Sequence, residues 1–320
     1  MVKRAKPAAR RGRAAPKSQA IAASELQTPI DFVRHAVSRF TAAGLVFAHG
    51  TSDPVAEAAF LVCETLHLHP DQFEAFATTP VTSAQAGRIL DLIARRIATR
   101  KPAAYLVNKI YMRCLPFYVD ERAIVPRSYI GELLDSHFGD GQDEGGALIG
   151  DPAGIENVLD LCTGSGCLAV LASRHFPDAH IDAVDISKEA LEVAARNVSD
   201  YRLEARVALH RGDLFKPVGN QRYDLIISNP PYVDARGMAR LPRECRAEPK
   251  LAFDGGADGL DIVRRILKQA GRHLTPGGGL LCEIGRGRQL LEAAFPRTPL
   301  LWLDTEDSAG EVFWISASDL

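Results

Sequence analysis

The chain has 320 residues, of which 46% are hydrophobic and 24% are charged, a balance typical of soluble globular proteins with one large or two ordinary domains. No apolar run approaches the roughly 18 residues that a membrane helix needs. The basic first residues are not followed by the apolar core of a secretory signal. We therefore expect a cytoplasmic protein with no membrane partner.

The cysteine pattern argues against a metal site. None of the six cysteines forms a C-x-x-C pair, which makes zinc binding and thioredoxin-type chemistry poor hypotheses and favours a reducing compartment. The cysteines are Cys63, Cys114, Cys162, Cys167, Cys245 and Cys282.

Charge is distributed unevenly along the chain. Residues 1–24 contain seven basic residues and no acidic one, whereas the other 296 residues contain 31 bases and 40 acids. Such a tail can be a disordered solubilising segment, an arm that binds the phosphates of a ribonucleoprotein, or an organellar presequence. The sequence leaves these three hypotheses open.

Residues 25–108 have the pattern of a small helical domain. Thr28-Pro29 predicts the start of a first helix, and Asp53-Pro54 predicts a second helix that extends to about Leu68. Thr82 and Gln85 have the spacing of a capping box, which predicts a third helix. Over residues 109–154, aromatic and β-branched residues from Ile110 to Val125 predict a hairpin, and the Gly- and Asp-rich residues 139–154 predict a flexible linker.

Residues 155–320 alternate between short apolar runs and helical patterns, which is typical of an α/β domain with an open, mostly parallel sheet. The predicted strands are Val158–Leu161, Ile181–Val184, Val207–Leu209, Leu225–Ile227, Leu280–Ile284, Leu300–Leu303 and Val312–Ile315. The predicted helices are Leu168–His175, Lys188–Val198 and Ile262–Leu274.

Four consecutive strands each lead into a polar or glycine-rich group. In such sheets, ligands bind beyond the carboxyl ends of the strands, so these groups should lie at one edge. We expect them to bind a cofactor through Asp160, Cys162, Thr163, Gly164, Ser165, Gly166, Asp185, Asp213, Leu214 and Asn229.

The chemistry of these groups suits a nucleoside cofactor. Gly164 and Gly166 let the backbone approach a ligand closely, and the next helix directs its amide N–H groups at it. Asp185 could accept hydrogen bonds from both ribose hydroxyls, or it could cap the next helix. Asp213 could accept the adenine amine, or it could be a turn residue. These roles fit NAD and S-adenosylmethionine equally well.

The segment Asn229-Pro230-Pro231-Tyr232 separates these two cofactors. Two successive prolines fix φ and remove two donors, so the oxygens of Asn229 and Pro230 become rigid acceptors. Tyr232 adds an aromatic face. The pattern predicts a site that grips a planar NH₂ group with two hydrogen bonds, with Asn229, Pro230 and Tyr232 as the catalytic residues. A hydride-transfer enzyme has no need of such a site, although a plain proline turn is the simpler alternative.

Several motifs together resemble the HemK-type protein glutamine N5-methyltransferases. The resemblance runs from about residue 25 to the end. It rests on Asp160-Leu-Cys-Thr-Gly-Ser-Gly, Ala183-Val-Asp-Ile-Ser, Gly212-Asp-Leu-Phe, Asn229-Pro-Pro-Tyr-Val-Asp, Glu248-Pro, Asp258-Gly-Leu and the segment Phe117 to Ser128.

The resemblance implies a seven-stranded, Rossmann-like class I methyltransferase domain that uses S-adenosylmethionine, and a helical N-terminal domain that recruits a substrate protein. It implies that Cys162 to Gly166, Asp185, Asp213 and Leu214 contact the cofactor. It also implies that the target glutamine is bound by Asn229, Pro230, Pro231 and Tyr232.

The branch of the family is indicated by two departures from the release-factor enzymes, which usually read Pro-Arg-Pro-x-Thr-Glu and have glycine at the position of Cys162. Here the chain reads Pro126-Arg127-Ser128-Tyr129. Together with His49-Gly50-Thr51, this is similar to the branch that modifies large-subunit ribosomal protein L-three. We expect the Cys162 side chain to point toward the core. Arg127 could orient the substrate or the linker, or could be an exposed charge.

Three other functions remain open at this point: a release-factor glutamine methyltransferase, an adenine N6-methyltransferase acting on DNA or RNA after base flipping, and a non-catalytic ribosome-assembly factor that binds the cofactor. The expected partner is a large-subunit ribosomal protein, with ribosomal RNA as a second partner of the basic tail. Glu283 ends a later strand at the same edge and receives no role from the sequence.

Overall fold

The computed structural model describes residues 25–47, 50–51, 53–138, 148–149, 151–306 and 308–320. The predicted basic tail, His49 and residues 139–147 and 150 of the predicted linker lie outside these ranges. Over the same ranges, no helix is long and apolar enough to cross a membrane.

Among the described residues, five α-helices precede the first strand, and the three predicted from their caps are confirmed. Thr28, Asp53 and Thr82 are the N-cap residues of the first, second and fourth helices, and a proline follows each of the first two caps. The two short helices escape prediction because each spans little more than one turn. The bounds are α1 Pro29–Ala42, α2 Pro54–Leu66, α3 Phe73–Phe76, α4 Ser83–Thr99 and α5 Ala103–Val107.

A separate apolar cluster holds these helices together. Phe32, Phe40, Leu61 and Ile89 are almost fully buried within it. A buried ion pair joins α2 to α4, because the Arg96 side chain donates to a Glu57 carboxylate oxygen at 2.7 Å.

The predicted hairpin is real but much shorter than Ile110 to Val125. Strands β1 (Ile110–Met112) and β2 (Leu115–Phe117) pair antiparallel. Beyond β2, the backbone donates to side chains of the next domain, since the Tyr118 N–H bonds to Asn197 and the Val125 N–H bonds to Glu248. Donors used in this way cannot extend a strand ladder.

A helix that the sequence reading missed, α6 (Ile130–Phe138), follows this segment. Its buried face carries Ile130, Leu133 and Leu134, which join the larger of the two clusters that flank the sheet. The predicted domain boundaries at residues 25, 109 and 155 stay a prediction.

The predicted sheet is confirmed, with seven strands in the order β5-β4-β3-β6-β7-β9-β8. Strands β3 to β7 all run parallel to one another, and β9 is antiparallel to both β7 and β8. The strands are β3 Asn157–Leu161, β4 His180–Asp185, β5 Val207–Arg211, β6 Tyr223–Ser228, β7 Leu274–Glu283, β8 Leu301–Asp304 and β9 Ala309–Ser316.

Helices connect these strands and cover both faces of the sheet. They are α7 Cys167–His175, α8 Lys188–Asp200, α9 Ala235–Arg240, α10 Asp261–Ala270 and α11 Arg288–Ala294. Short 3₁₀ turns span Pro70–Gln72, Pro152–Gly154, Lys216–Val218, Arg243–Ala247, Lys250–Ala252, Gly285–Gly287 and Ala317–Asp319.

The prediction that one helix runs from Ile262 to Leu274 is wrong at its end. The helix stops at Ala270, and Leu274 is the first residue of β7, where it pairs with Tyr223. Apolar periodicity could not separate the two, because Leu274 is buried whether it belongs to a helix or to a strand.

The chain crosses from one side of β3 to the other between β5 and β6, because β3 lies between β4 and β6. Such a reversal leaves a crevice beyond the carboxyl ends of the central strands, where open α/β sheets bind their ligands. The predicted polar groups after β3 to β6 lie at or just beyond the carboxyl ends of these strands, with Asp160 inside β3 and Asp185 as the last residue of β4.

Candidate active site

A cavity lies at this edge of the sheet, and seven of the predicted site residues line it: Cys162, Gly164, Asp185, Asp213, Leu214, Asn229 and Pro231. The other predicted residues are not among those that line the cavity: Arg127, Asp160, Thr163, Ser165, Gly166, Pro230 and Tyr232. Within the described ranges, no group of His, Cys, Asp or Glu side chains has the arrangement of a metal site.

The loop between β3 and α7 forms one wall of this cavity. Gly164 and Gly166 have φ values of 55° and 79°, a left-handed conformation that favours glycine. A Cβ atom on Gly166 would lie 3.1 Å from the Cβ of Ala194, so the loop also packs closely on α8. Gly166 is the N-cap residue of α7, and the free N–H groups of that first turn are therefore presented at the loop.

Cys162 adopts φ 61° in the same loop, although it has a side chain. Cys162 packs against the smaller of the two clusters that flank the sheet and also lines the cavity. The expected direction of its side chain, toward the core, stays a prediction. Burial raises the pKa of its thiol, which keeps the sulfur neutral and argues against a nucleophilic role.

Asp185 is fixed by two backbone donors. Its Oδ2 accepts from the Gly164 N–H at 2.9 Å, and its Oδ1 accepts from the Ser187 N–H at 2.8 Å. Burial raises the pKa of this carboxyl, and the two N–H groups oppose that effect. Each carboxylate oxygen retains a further lone pair, so Asp185 can still accept two hydroxyl groups from the cavity. Ser187, not Asp185, is the N-cap of α8.

Asp160 lies behind the loop and is fully buried. Its Oδ2 accepts from the Thr163 hydroxyl at 2.5 Å, whereas its Oδ1 has no hydrogen-bond partner in the part of the chain that the structure describes. Burial raises the pKa of Asp160 to about 7. A buried, unpaired carboxylate oxygen is costly, and a donor from a bound ligand would relieve that cost.

Asp213 lies on the far wall between two cations. Lys216 donates to its Oδ2 at 2.8 Å and Arg265 donates to its Oδ1 at 2.6 Å, and these hydrogen bonds lower the pKa of the carboxyl. Arg265 also lines the cavity, a position that the sequence reading did not identify. Leu214 beside them has φ 52° and provides an apolar wall.

The segment from Asn229 to Tyr232 follows β6 directly. The Asn229 Nδ2 donates to the carbonyl oxygen of Arg127 at 3.0 Å, which leaves the Oδ1 as the free end of the amide. Among the described residues, no donor bonds to this Oδ1 or to the carbonyl of Pro230. Asn229 lines the cavity, whereas Pro230 is buried and is not among the lining residues. The role of both oxygens as acceptors for a ligand stays a prediction.

Tyr232 occupies a slot formed by glycines that the sequence reading did not connect with it. A Cβ atom on Gly285 would lie 2.7 Å from its ring, and one on Gly259 would lie 2.4 Å from its carbonyl oxygen. The Tyr232 hydroxyl donates to Glu283 Oε1 at 3.2 Å. Burial raises the pKa of this hydroxyl, so it stays protonated.

Arg127 contributes to the site through its backbone as well as its side chain. Its guanidinium donates to both carboxylate oxygens of Glu248 at 3.1 and 3.4 Å, and its carbonyl holds Asn229. The Glu248 side chain is completely buried and also accepts from the Val125 N–H. A role for Arg127 in substrate binding stays a prediction. The Glu248-Pro motif in the sequence does not indicate this role of Glu248.

Comparison with known families agrees with both parts of this architecture. The family model described as the Methyltransferase small domain matches residues 148–241, and that described as the PrmC N-terminal domain matches residues 31–107.

Similar proteins match along almost the whole chain. A protein of Bradyrhizobium diazoefficiens called ribosomal protein uL3 glutamine methyltransferase is 73% identical, over 97% of this chain and 97% of its own length. Proteins with the same name from Burkholderia pseudomallei and Bordetella pertussis are 50% and 48% identical, each over 92% of this chain and at least 96% of their own length.

Proposed function

This chain belongs to the ribosomal protein uL3 glutamine methyltransferase family, and we propose that it transfers a methyl group from S-adenosylmethionine to the side-chain amide nitrogen of a glutamine in ribosomal protein uL3. The geometry of Asn229 carries the proposal. Its amide is held by the Arg127 carbonyl so that its oxygen remains free beside the cavity. A substrate in the ribosome fits the cytoplasmic location predicted from the sequence.

The residues that line the cavity fit the proposed cofactor. Asp185 would accept the ribose hydroxyls, the walls at Leu214 and Asp213 would hold the adenine, and the loop at Gly164 would lie against the methionine part. The unpaired Asp160 Oδ1 supports this assignment, because it lies behind that loop and lacks a donor. When bound, S-adenosylmethionine supplies an activated methyl group on a sulfonium.

The segment from Asn229 to Tyr232 would hold the glutamine amide. Its nitrogen is a poor nucleophile, because the lone pair is delocalised into the carbonyl. The Asn229 Oδ1 and the Pro230 carbonyl oxygen would each accept one N–H of the amide, which turns the lone pair toward the methyl donor. Alignment of this kind can supply several kcal/mol of the barrier reduction.

A transfer assay tests the proposal. The purified protein is incubated with cofactor that carries a labelled methyl group. Each reaction contains one candidate substrate: ribosomal protein uL3, a peptide release factor, DNA or RNA. We expect label only in uL3, and peptide mass spectrometry should place one added methyl group on a glutamine. Label confined to the release factor or to nucleic acid would support one of the other two enzyme classes instead.

Asn229→Ala and Asn220→Ala provide a matched pair for the same assay. Asn220 is exposed in a turn before β6, so its substitution should leave turnover unchanged. Asn229→Ala should lower kcat by about a thousandfold, comparable to the loss of one preorganised donor or acceptor at a reacting centre, while cofactor affinity stays within a few-fold. Equal turnover in both variants would contradict the assigned role of Asn229.

A further inference from the structure

Glu283, the last residue of β7, is a buried carboxylate that the proposed reaction does not use directly. It is 2% exposed, and three groups donate hydrogen bonds to it. These donors come from two separate parts of the chain: Ser128 and Tyr129 lie just before α6, and Tyr232 is the last residue of the segment from Asn229 to Tyr232. A carboxylate in this position can join the two parts.

The first part is the segment before α6. Glu283 Oε2 accepts from the Ser128 hydroxyl at 2.7 Å and from the Tyr129 N–H at 3.0 Å. The Arg127 carbonyl, one residue earlier, accepts the hydrogen bond from the Asn229 amide. Glu283 therefore fixes the backbone that sets the direction of the Asn229 oxygen.

The second part is Tyr232 itself. The other oxygen, Glu283 Oε1, accepts from the Tyr232 hydroxyl at 3.2 Å, while Gly285 leaves room for the ring. Both ends of the four-residue segment are thus tied to one side chain, directly at Tyr232 and through the Arg127 backbone at Asn229.

We propose that Glu283 is a positioning residue that holds Asn229 and Tyr232 together in the orientation that grips the substrate amide. The inference rests on the proposed function, because it assigns a role in glutamine binding. Ser128 contributes a hydrogen bond to the same arrangement through its hydroxyl. The release-factor enzymes usually have a proline at this position, which has no hydroxyl to donate.

The alternative role for such a residue is that of a proton acceptor. Burial raises the pKa of Glu283 to about 7, so both protonation states are accessible near neutral pH. A positioning role tolerates both states, because the hydroxyls of Ser128 and Tyr232 can rotate between donating and accepting. A proton-acceptor role requires the ionised carboxylate.

Two substitutions separate these roles. In Glu283→Gln, the amide oxygen can replace Oε2 and accept from Ser128 and Tyr129, while the NH₂ group can donate to the Tyr232 oxygen. This variant keeps the hydrogen bonds and removes the charge. In Glu283→Leu, a side chain of similar size keeps neither. Glu156→Leu is a matched control, because Glu156 is exposed before β3 at the opposite end of the sheet.

For all three variants, the experiment measures kcat, the KM for uL3 and the dissociation constant of the cofactor. The measurements run between pH 6 and pH 9, so that they include the pKa of Glu283 at about 7. We expect Glu283→Leu to lose about a hundredfold in kcat, the size of a small misplacement of reacting groups, with cofactor binding retained. Glu283→Gln should recover kcat to within about tenfold of the wild type, with an unchanged pH profile.

Two results would overturn the proposal. If Glu283→Gln were as inactive as Glu283→Leu, the charge of Glu283 would be essential. If Glu283→Leu were as active as the wild type, Glu283 would have no role in positioning. If Glu283→Leu fails to bind the cofactor because it misfolds, Tyr232→Phe replaces it, since it removes only one hydrogen bond. That variant should lose kcat, and full activity would also overturn the proposal. Absence of turnover in the wild type would instead count against the proposed function.

Discussion

The two halves of the site are held in place by different kinds of contact. The cofactor half comprises the residues proposed to bind S-adenosylmethionine, and the acceptor half is the segment from Asn229 to Tyr232 with its supports. In the cofactor half, Asp160 bonds to a residue three positions away, and Asp185 bonds to Gly164, 21 positions away. In the acceptor half, Asn229 bonds across 102 positions and Glu283 bonds to Ser128 across 155 positions. The loop after β3 and Asp185 are built within one βαβ unit, although the wall at Asp213 also uses a contact with Arg265 across 52 positions. The second half depends on segments that the fold brings together over 100 positions or more at Asn229 and Ser128.

This difference implies that the two halves can be damaged separately. A change in the distant supports of Asn229 and Tyr232 should impair methyl transfer and leave the cofactor bound. A change within the loop after β3, or at the end of β4, should weaken cofactor binding and leave the geometry of the acceptor half unchanged. The following predictions test that separation, in order of decreasing effect.

The largest effect is expected from Glu248→Ala. The substitution leaves the Arg127 guanidinium without its buried partner and the Val125 N–H without an acceptor. Loss of one member of a buried ion pair should lower the free energy of unfolding by about 3 kcal/mol, measured by urea denaturation. In the folded protein, kcat should fall because the Arg127 carbonyl no longer holds Asn229 firmly.

Cofactor titration of the same variant shows whether the halves are separate. The dissociation constant for S-adenosylmethionine should stay within a few-fold of the wild type. A loss of cofactor affinity as large as the loss of turnover would mean that the supports of the acceptor half also shape the cofactor loop.

The next effect is expected from Asp185→Ala. The change removes the acceptor of the Gly164 and Ser187 N–H groups, together with the proposed acceptor of the ribose. Hydrogen bonds to a charged group contribute about 1.5–3 kcal/mol each, so cofactor affinity should fall about a hundredfold, measured by calorimetric titration. At saturating cofactor, kcat should stay close to that of the wild type.

Asp182→Asn is the matched control for this prediction. Asp182 lies on the same strand, but its carboxylate binds His210 and Tyr223 and does not line the cavity. Its substitution should lower stability without a change in cofactor affinity. Equal losses of affinity in both variants would show that Asp185 acts only by stabilising β4.

The separation also explains which features could be predicted from the sequence. Asp185 and Gly164 follow strand ends, and the carboxyl ends of parallel strands meet at one edge, so their proximity follows from local patterns. The rigid Asn229-Pro230-Pro231 turn could be recognised for the same reason, because two prolines fix its conformation wherever it lies.

The supports of that turn could not be predicted in this way. Glu283 and Glu248 approach it only after β7 and the segment around Arg127 have packed on the sheet. The segment after Phe117 was predicted as part of a hairpin from its composition, but two of its backbone donors, the Tyr118 and Val125 N–H groups, bond to side chains more than 70 positions away. The spacing of residues along the chain does not predict such long-range contacts.

The third effect concerns pH, because each half contains one buried carboxyl with a pKa raised to about 7, Asp160 and Glu283. The unfolded chain releases these protons near pH 4, whereas the folded protein keeps them until about pH 7. Between these values the folded state binds more protons, so the free energy of unfolding should fall as pH rises, by about 1 kcal/mol per pH unit for each group.

Asp160→Asn should remove its share of this slope in denaturation curves measured between about pH 5 and pH 6.5. Glu283→Gln should remove a similar share. The two variants should differ in binding, because only Asp160→Asn alters a group next to the cofactor loop. A slope that stays the same or steepens in either variant would contradict the raised pKa of that carboxyl.

The smallest effect is expected from Cys162→Gly, which tests how far the cofactor half depends on its own backbone. Relief of the left-handed conformation at φ 61° should stabilise the folded state by roughly 1 kcal/mol, while lost packing and the greater freedom of the unfolded chain offset most of it. The net change in the free energy of unfolding should be under about 1 kcal/mol, and cofactor affinity should be unchanged.

Leu214→Gly provides the contrast. Leu214 has a similar backbone conformation, with φ 52°, and lines the cavity like Cys162, but it carries a larger apolar side chain that is buried. There the lost apolar contact should outweigh any relief, so stability and cofactor affinity should both fall. If Cys162→Gly lowered cofactor affinity as much as Leu214→Gly does, the Cys162 side chain would be part of the binding surface. The loop would then depend on more than the glycines and Asp185 that set its path.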